Sequence, residues 1–150
     1  MRANHAASSG RHTITVPTRL LIPLVYMAGL LVLSSIPGDL EPDNIVGKAF
    51  IWIPPTWQNL LHVPFYAGLA ISWIWALEKE LPNNTTRLAT AFILTCAWGL
   101  VDESYQLTVP GRYGSFTDLA LNMLGAALAI ICVHLYFVHR SSKPVSHQRD

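Results

Sequence analysis

The chain has 150 residues, of which 51% are hydrophobic and only 13% are charged, and its formal net charge is +1. This length corresponds to a single domain, and the small net charge without a Lys/Arg cluster argues against a nucleic-acid-binding protein. The apolar residues are gathered into long uncharged runs, which argues against a soluble core and predicts membrane-spanning helices.

Four apolar runs follow one another along the chain, at residues 20–36, 59–77, 88–107 and 119–138. A spanning helix needs about 20 residues. The uncharged part of the third run ends at Val101 and is too short, so we predict that this helix continues through Asp102 and Glu103. The first run is too long for a signal-peptide core and no cleavage site follows it, which favours an uncleaved helix. The predicted fold is an all-α membrane protein with four transmembrane helices.

The positions of the basic residues predict the orientation of these helices. Eight of the ten Lys and Arg residues fall in the two terminal segments or between the second and third helices. Cytoplasmic loops carry an excess of Lys and Arg, so both termini are predicted to be cytoplasmic. We expect flexible cytoplasmic tails at 1–18 and 140–150 around a membrane domain at 19–139. The outer loop contains "IWIPPTW" (51–57), which we interpret as a headgroup-layer segment or, alternatively, an ordinary interfacial loop.

Polar side chains gather where the four helices are predicted to reach the outer face. They are His62 and Tyr66 on the second helix, Asp102, Glu103 and Gln106 on the third, Arg112 in the hairpin, and Asp118 and Asn122 on the fourth. Residues three or four apart share one helix face, so each helix presents its set together. Gly111 suits a tight turn that would bring Arg112 over the helix ends, and Thr117 or Asp118 is expected to cap the fourth helix.

Three interpretations of this polar group remain open. In the structural one, Arg112 neutralises Asp102, Glu103 or Asp118 and ties the hairpin together. In the second, the same residues bind a ligand, because one cation cannot neutralise three carboxylates and His62 lies at the same depth. Metal binding is the least favoured, because a single histidine with carboxylates lacks a strong ligand spacing. We expect neither a metal nor a cofactor, and we interpret Cys96 and Cys132 as small core residues.

The motifs resemble those of the VanZ-like family of small bacterial membrane proteins over about residues 20–135. The shared pieces are Asp102-Glu103-x-x-Gln106, Pro110-Gly111-Arg112, Asp118, Asn122-x-x-Gly125, His62-x-x-x-Tyr66 with Gly68, and Leu33-Ser34-Ser35-Ile36-Pro37-Gly38. Family members usually carry an acidic and a basic residue shortly before the histidine, where this chain has Gln58 and Asn59. The resemblance implies a protein of the bacterial cell membrane that acts near envelope lipids. The family is named after a member linked to teicoplanin resistance. The name alone does not assign that resistance to this chain.

Three functions are compatible with these residues. As a binding module for an envelope lipid or glycopeptide-like ligand, the protein would hold a phosphate or carboxylate with Arg112, oriented by the acidic residues. As an enzyme on a lipid-linked substrate, it would use His62 as acid or base with a carboxylate such as Glu103. As a structural subunit of a membrane complex, it would bind another membrane protein. Membrane lipids are expected partners in each case, and nucleic acid in none.

Overall fold

The described part of the chain is entirely helical. A computed structural model describes residues 18–37 and 59–142. A short 3-10 turn at Thr18–Leu20 leads into α1 (Leu21–Ser34), followed by α2 (His62–Ala76), α3 (Asn84–Gln106) and α4 (Phe116–Ser141). The predicted all-α class is confirmed. Most of both predicted tails and the "IWIPPTW" segment lie outside the described residues.

The ends of α3 and α4 place the polar residues inside regular helix. α3 ends at Gln106 and therefore contains Asp102 and Glu103, as its length predicted. α4 begins one residue after Ser115, whose side chain accepts a hydrogen bond from the Thr117 N–H at 3.1 Å. The expectation that Thr117 or Asp118 caps this helix was wrong, because the helix begins earlier than its apolar run. Asp118 is left in the first turn, where a carboxylate is favoured by the helix dipole.

Only α4 among the described helices is both long and apolar enough to cross a membrane by itself. α1 and α2 have 14 and 15 residues, which is less than the hydrocarbon thickness requires. α3 has 23 residues but buries Arg87, Asp102 and Glu103 within its length. The membrane character of the fold therefore rests on one helix, and four complete spans remain a prediction.

Successive helices run antiparallel, and α2 contacts each of the other three. Leu30, Leu69 and Trp73 belong to an apolar core formed with the start of α3, while Ala70, Ala126 and Ala129 pack α2 against α4. This arrangement brings together the end of α1, the start of α2, the end of α3 and the start of α4. We call this region the site end of the bundle.

Several large apolar side chains are exposed on the surface of the bundle, while several polar side chains are buried inside it. Val25, Val32 and Ile93 are each more than 60% exposed. In contrast, Thr95, Asp102 and Asn122 are at most 2% exposed. Buried polar groups beside exposed large apolar side chains are uncommon in soluble proteins and are compatible with a bundle surrounded by lipid.

Candidate functional site

The site end collects all eight polar residues singled out in the sequence. Six of them are buried, namely Tyr66, Asp102, Glu103, Gln106, Asp118 and Asn122. His62 and Arg112 are half-buried. They come together because each helix has its polar residues in the turns nearest this end. The common depth predicted from the sequence is therefore present in the structure.

Asn122 connects the second, third and fourth helices. Its Oδ1 lies 2.8 Å from His62 Nδ1, and its Nδ2 donates to Glu103 Oε1 at 3.3 Å. The other oxygen of Glu103 accepts the backbone N–H of Ser115 at 3.2 Å. One ligand atom each from His62, Glu103 and Asp118 lie within 4.8 Å of one another. We call these three residues the carboxylate cluster.

Tyr66 and Asp102 form a second polar contact beside the carboxylate cluster. The Tyr66 hydroxyl donates to Asp102 Oδ2 at 3.0 Å, and the Tyr66 ring stacks on that of His62 with the ring centroids 6.4 Å apart. Nearby, the Gln106 side chain donates to Ser34 Oγ at 3.4 Å and so links α3 to the end of α1. These contacts fix the positions of side chains from α1, α2 and α3 around one depression.

Arg112 binds the end of α1 through backbone carbonyls. Its Nε donates to the Ile36 carbonyl at 3.0 Å, and one terminal nitrogen donates to the Leu33 carbonyl at 3.3 Å. Gly111 precedes it with a φ of 69°, the left-handed turn conformation that glycine favours. These carbonyls lie at the C-terminal end of α1, where the helix dipole is negative and favours a guanidinium.

Arg112 forms no ion pair with Asp102, Glu103 or Asp118. Among the described residues, the one salt bridge joins Arg19 to Glu78 at the opposite end of the bundle. Asp102, Glu103 and Asp118 have no Lys or Arg partner within 4.0 Å in residues 18–37 and 59–142. Each buried ionised carboxylate without a compensating charge costs on the order of several kcal/mol. No described Lys or Arg supplies such a charge, and the predicted role of these carboxylates in orienting Arg112 was wrong.

A cavity of about 190 Å³ opens between α1, α2 and α3. Four apolar side chains line one part of it, namely Leu30, Leu33, Leu61 and Phe65. The polar part consists of Ser34, His62, Tyr66, Asp102, Gln106 and Arg112. The cavity thus joins an apolar wall to a polar wall that carries the guanidinium of Arg112, the carboxyl group of Asp102 and further hydrogen-bonding groups.

The chain was compared with models of known protein families. The model of the VanZ/LLP1 family matches residues 4–137. The chain belongs to the VanZ/LLP1 family. The resemblance drawn from the motifs is thus confirmed, and the match supports a VanZ-like membrane protein. Searches of curated proteins and of solved structures found no match to the chain.

Two features of this VanZ-like site were missed in the sequence. One is the contribution of backbone groups, namely the Leu33 and Ile36 carbonyls and the Ser115 N–H. The spacing of side chains gives no signal for them. The other is how closely His62, Glu103 and Asp118 approach. The sequence predicts that they share one end of the bundle, but it does not predict ligand atoms within 4.8 Å of one another, as a metal site needs. Metal-ligand patterns in a sequence rely on short spacings, so a set drawn from three helices escapes them.

Proposed function

We propose that this VanZ-like protein is a multi-pass protein of the bacterial cell membrane that binds an envelope ligand at the site end of the bundle. The ligand is a lipid, or a lipid-linked or glycopeptide-like molecule, with a phosphate or carboxylate group. That anionic group would occupy the cavity beside Arg112, and the adjoining apolar atoms would contact Leu30, Leu33 and Phe65.

The environment of Arg112 is the observation that carries this proposal. A guanidinium has five N–H donors, and two of its nitrogens are used on the backbone carbonyls of α1. The remaining donors are available to a ligand. No described carboxylate lies within ion-pair distance of the guanidinium, so its positive charge is not consumed by a neighbouring side chain. Arginine binds phosphate and carboxylate groups with strong, directional hydrogen bonds.

The composition of the cavity supports a ligand that is part polar and part apolar. Ligand sites combine a predominantly apolar lining with a few well-placed polar groups, as this one does. Its volume of about 190 Å³ suits a head group with its adjoining atoms better than a whole lipid. The apolar outer surface of the bundle would then contact the rest of the lipid.

The test is mass spectrometry of the lipids that the full chain retains through purification in detergent. We expect the wild-type protein to retain a specific anionic lipid and Arg112→Ala to lose at least about 90% of it, since one charge-assisted contact contributes about 1.5–3 kcal/mol. Arg112→Lys should retain an intermediate amount, because lysine keeps the charge without the planar fork.

Arg140→Ala is the matched control, because Arg140 is an exposed arginine at the opposite end of the bundle. It should retain the same lipid as the wild type. Equal lipid content in Arg112→Ala and Arg140→Ala preparations, with both proteins monodisperse, would reject the proposal. The same result would favour a structural subunit that binds another membrane protein.

An enzymatic role has one observation in its favour, which is that His62 lines the cavity and also belongs to the carboxylate cluster. A histidine that lines a ligand cavity and lies within 4.8 Å of carboxylate oxygens is suitably placed for acid–base chemistry on a lipid-linked substrate. Incubation of the wild type with extracted envelope lipids should then yield a modified lipid that is missing with His62→Gln. Unchanged lipids with both proteins would leave binding as the function.

A further inference from the structure

The carboxylate cluster has a buried oxygen without a partner. Asp118 is 8% exposed, and its Oδ1 accepts no hydrogen bond from any described residue. Ser115 caps α4, so the Asp118 side chain is not occupied by the first-turn N–H groups of its own helix. Glu103 also faces this place, and no described lysine or arginine neutralises either residue. The cluster thus offers negative charge and open lone pairs to a cation.

The distances within the cluster suit a single ion. The three ligand atoms lie within 4.8 Å of one another, so a point equidistant from them is less than about 3 Å from each. Zinc binds nitrogen and oxygen ligands at about 2.0–2.2 Å. A side-chain movement of about 1 Å would therefore close the three ligands around an ion.

The hydrogen bonds of Asn122 prepare His62 as a ligand. Asn122 Oδ1 can only accept, so the 2.8 Å contact requires His62 Nδ1 to carry the proton. The 4.8 Å separation holds for one of the two ring nitrogens of His62. In a neutral imidazole protonated at Nδ1, the lone pair that could bind a metal is on Nε2. Metal-binding histidines commonly donate their other ring N–H to an oxygen in this way. Asn122 also donates to Glu103, and so it contacts two of the three members of the cluster.

We infer that His62, Glu103 and Asp118 form a binding site for a divalent transition-metal ion such as Zn²⁺. One nitrogen with two carboxylates suits such an ion, whereas Mg²⁺ and Ca²⁺ prefer oxygen ligands alone. Three protein ligands leave a coordination position open to water or to a ligand group. This site shares His62 with the wall of the cavity beside Arg112, but neither Glu103 nor Asp118 lines that cavity, so the two sites can be tested separately.

The experiment measures Zn²⁺ binding to the full chain, purified in detergent and treated with a chelator, with no lipid added. Bound zinc is determined by elemental mass spectrometry after desalting, and affinity by competition with a fluorescent chelator. We expect about one ion per chain for the wild type. Asp118→Asn and Glu103→Gln should each weaken binding by at least about 100-fold, because even changes outside the ligand set cost 10–100-fold.

Asp102→Asn is the matched control. It removes a buried carboxylate next to Glu103 in the chain, but Asp102 is not in the cluster. It should weaken zinc binding by less than about tenfold, through the loss of a nearby charge alone. The inference is overturned if the wild type binds no more zinc than Asp118→Asn does. It is also overturned if Asp102→Asn loses as much affinity as Asp118→Asn, since that would indicate diffuse attraction rather than coordination. Neither outcome depends on how much lipid the Arg112 variants retain, so the zinc experiment and the lipid experiment can fail separately.

Discussion

At the scale of single residues, the contact between Tyr66 and Asp102 is the most deeply buried polar pair of the site. Their side chains are 1% and 2% exposed, and the Tyr66 hydroxyl is the one described donor to the Asp102 carboxylate. Asp102 Oδ1 is buried without a partner, so this carboxylate depends on a single hydrogen bond. A buried acceptor that loses its last donor retains the full cost of having left water.

Tyr66→Phe should therefore destabilise the protein by about 1–3 kcal/mol, the usual cost of an unsatisfied buried polar group. Thermal unfolding in detergent, followed by circular dichroism, measures the change. Tyr105→Phe is the control, because it also removes a hydroxyl hydrogen bond, here to the exposed Ser35 at 3.0 Å. Water can replace that bond, so Tyr105→Phe should cost less than about 1 kcal/mol. If the two variants lower the free energy of unfolding by similar amounts, burial does not determine the cost of losing the hydrogen bond.

At the scale of helices, the close approach of α4 to α2 decides which side chains can meet. A Cβ atom built on Gly125 would collide with the Val63 carbonyl, one residue after His62. Gly99 similarly faces the Tyr66 ring and the Asn122 side chain. Small residues at these positions let the helices approach closely. The 2.8 Å contact between His62 and Asn122 depends on this spacing.

Gly125→Ala should push α4 away from α2 and destabilise the bundle by about 1–3 kcal/mol, the usual cost of overpacking. The obstacle is a backbone carbonyl, which cannot rotate away as a side chain would. Gly29→Ala is the matched control, because no atom lies within 4 Å of a Cβ at that helical position. Alanine favours helix over glycine by about 1 kcal/mol, so this variant should keep or raise the unfolding temperature. An unchanged unfolding temperature for Gly125→Ala would indicate that the two helices are not in close contact.

At the scale of the whole molecule, the antiparallel order of the helices gives the bundle two chemically different ends. The site end holds the cavity, the carboxylate cluster and Arg112. The opposite end carries Arg19, Glu78, Lys79, Arg87 and Arg140. Basic residues are typical of a cytoplasmic end, so we predict that the site end faces the outside of the cell.

Labelling of single cysteines in intact cells tests this orientation. Cys96 and Cys132 are first replaced, and Tyr113→Cys and Glu80→Cys are then made separately at exposed positions of the two ends. Gly111 is avoided because its positive φ would strain a cysteine. A membrane-impermeant thiol reagent should label position 113 and spare position 80 until the cells are broken. The reverse pattern would place the site end in the cytoplasm and exclude an outer-leaflet ligand.

The sequence by itself determined the helical class, the inclusion of Asp102 and Glu103 in α3, the family, and the gathering of polar residues at one end. These follow from properties local in the chain, namely the length of apolar runs and the spacing of side chains on a helix. Only the tertiary structure decided which side chains and backbone groups form hydrogen bonds with one another. Arg112 binds the Leu33 and Ile36 carbonyls at the end of α1 instead of a carboxylate, and Asn122 joins His62 to Glu103. Which groups meet depends on how the helices are rotated and how far apart they lie. Contacts between segments distant in sequence, such as that of Gly125 with Val63, set this rotation and separation.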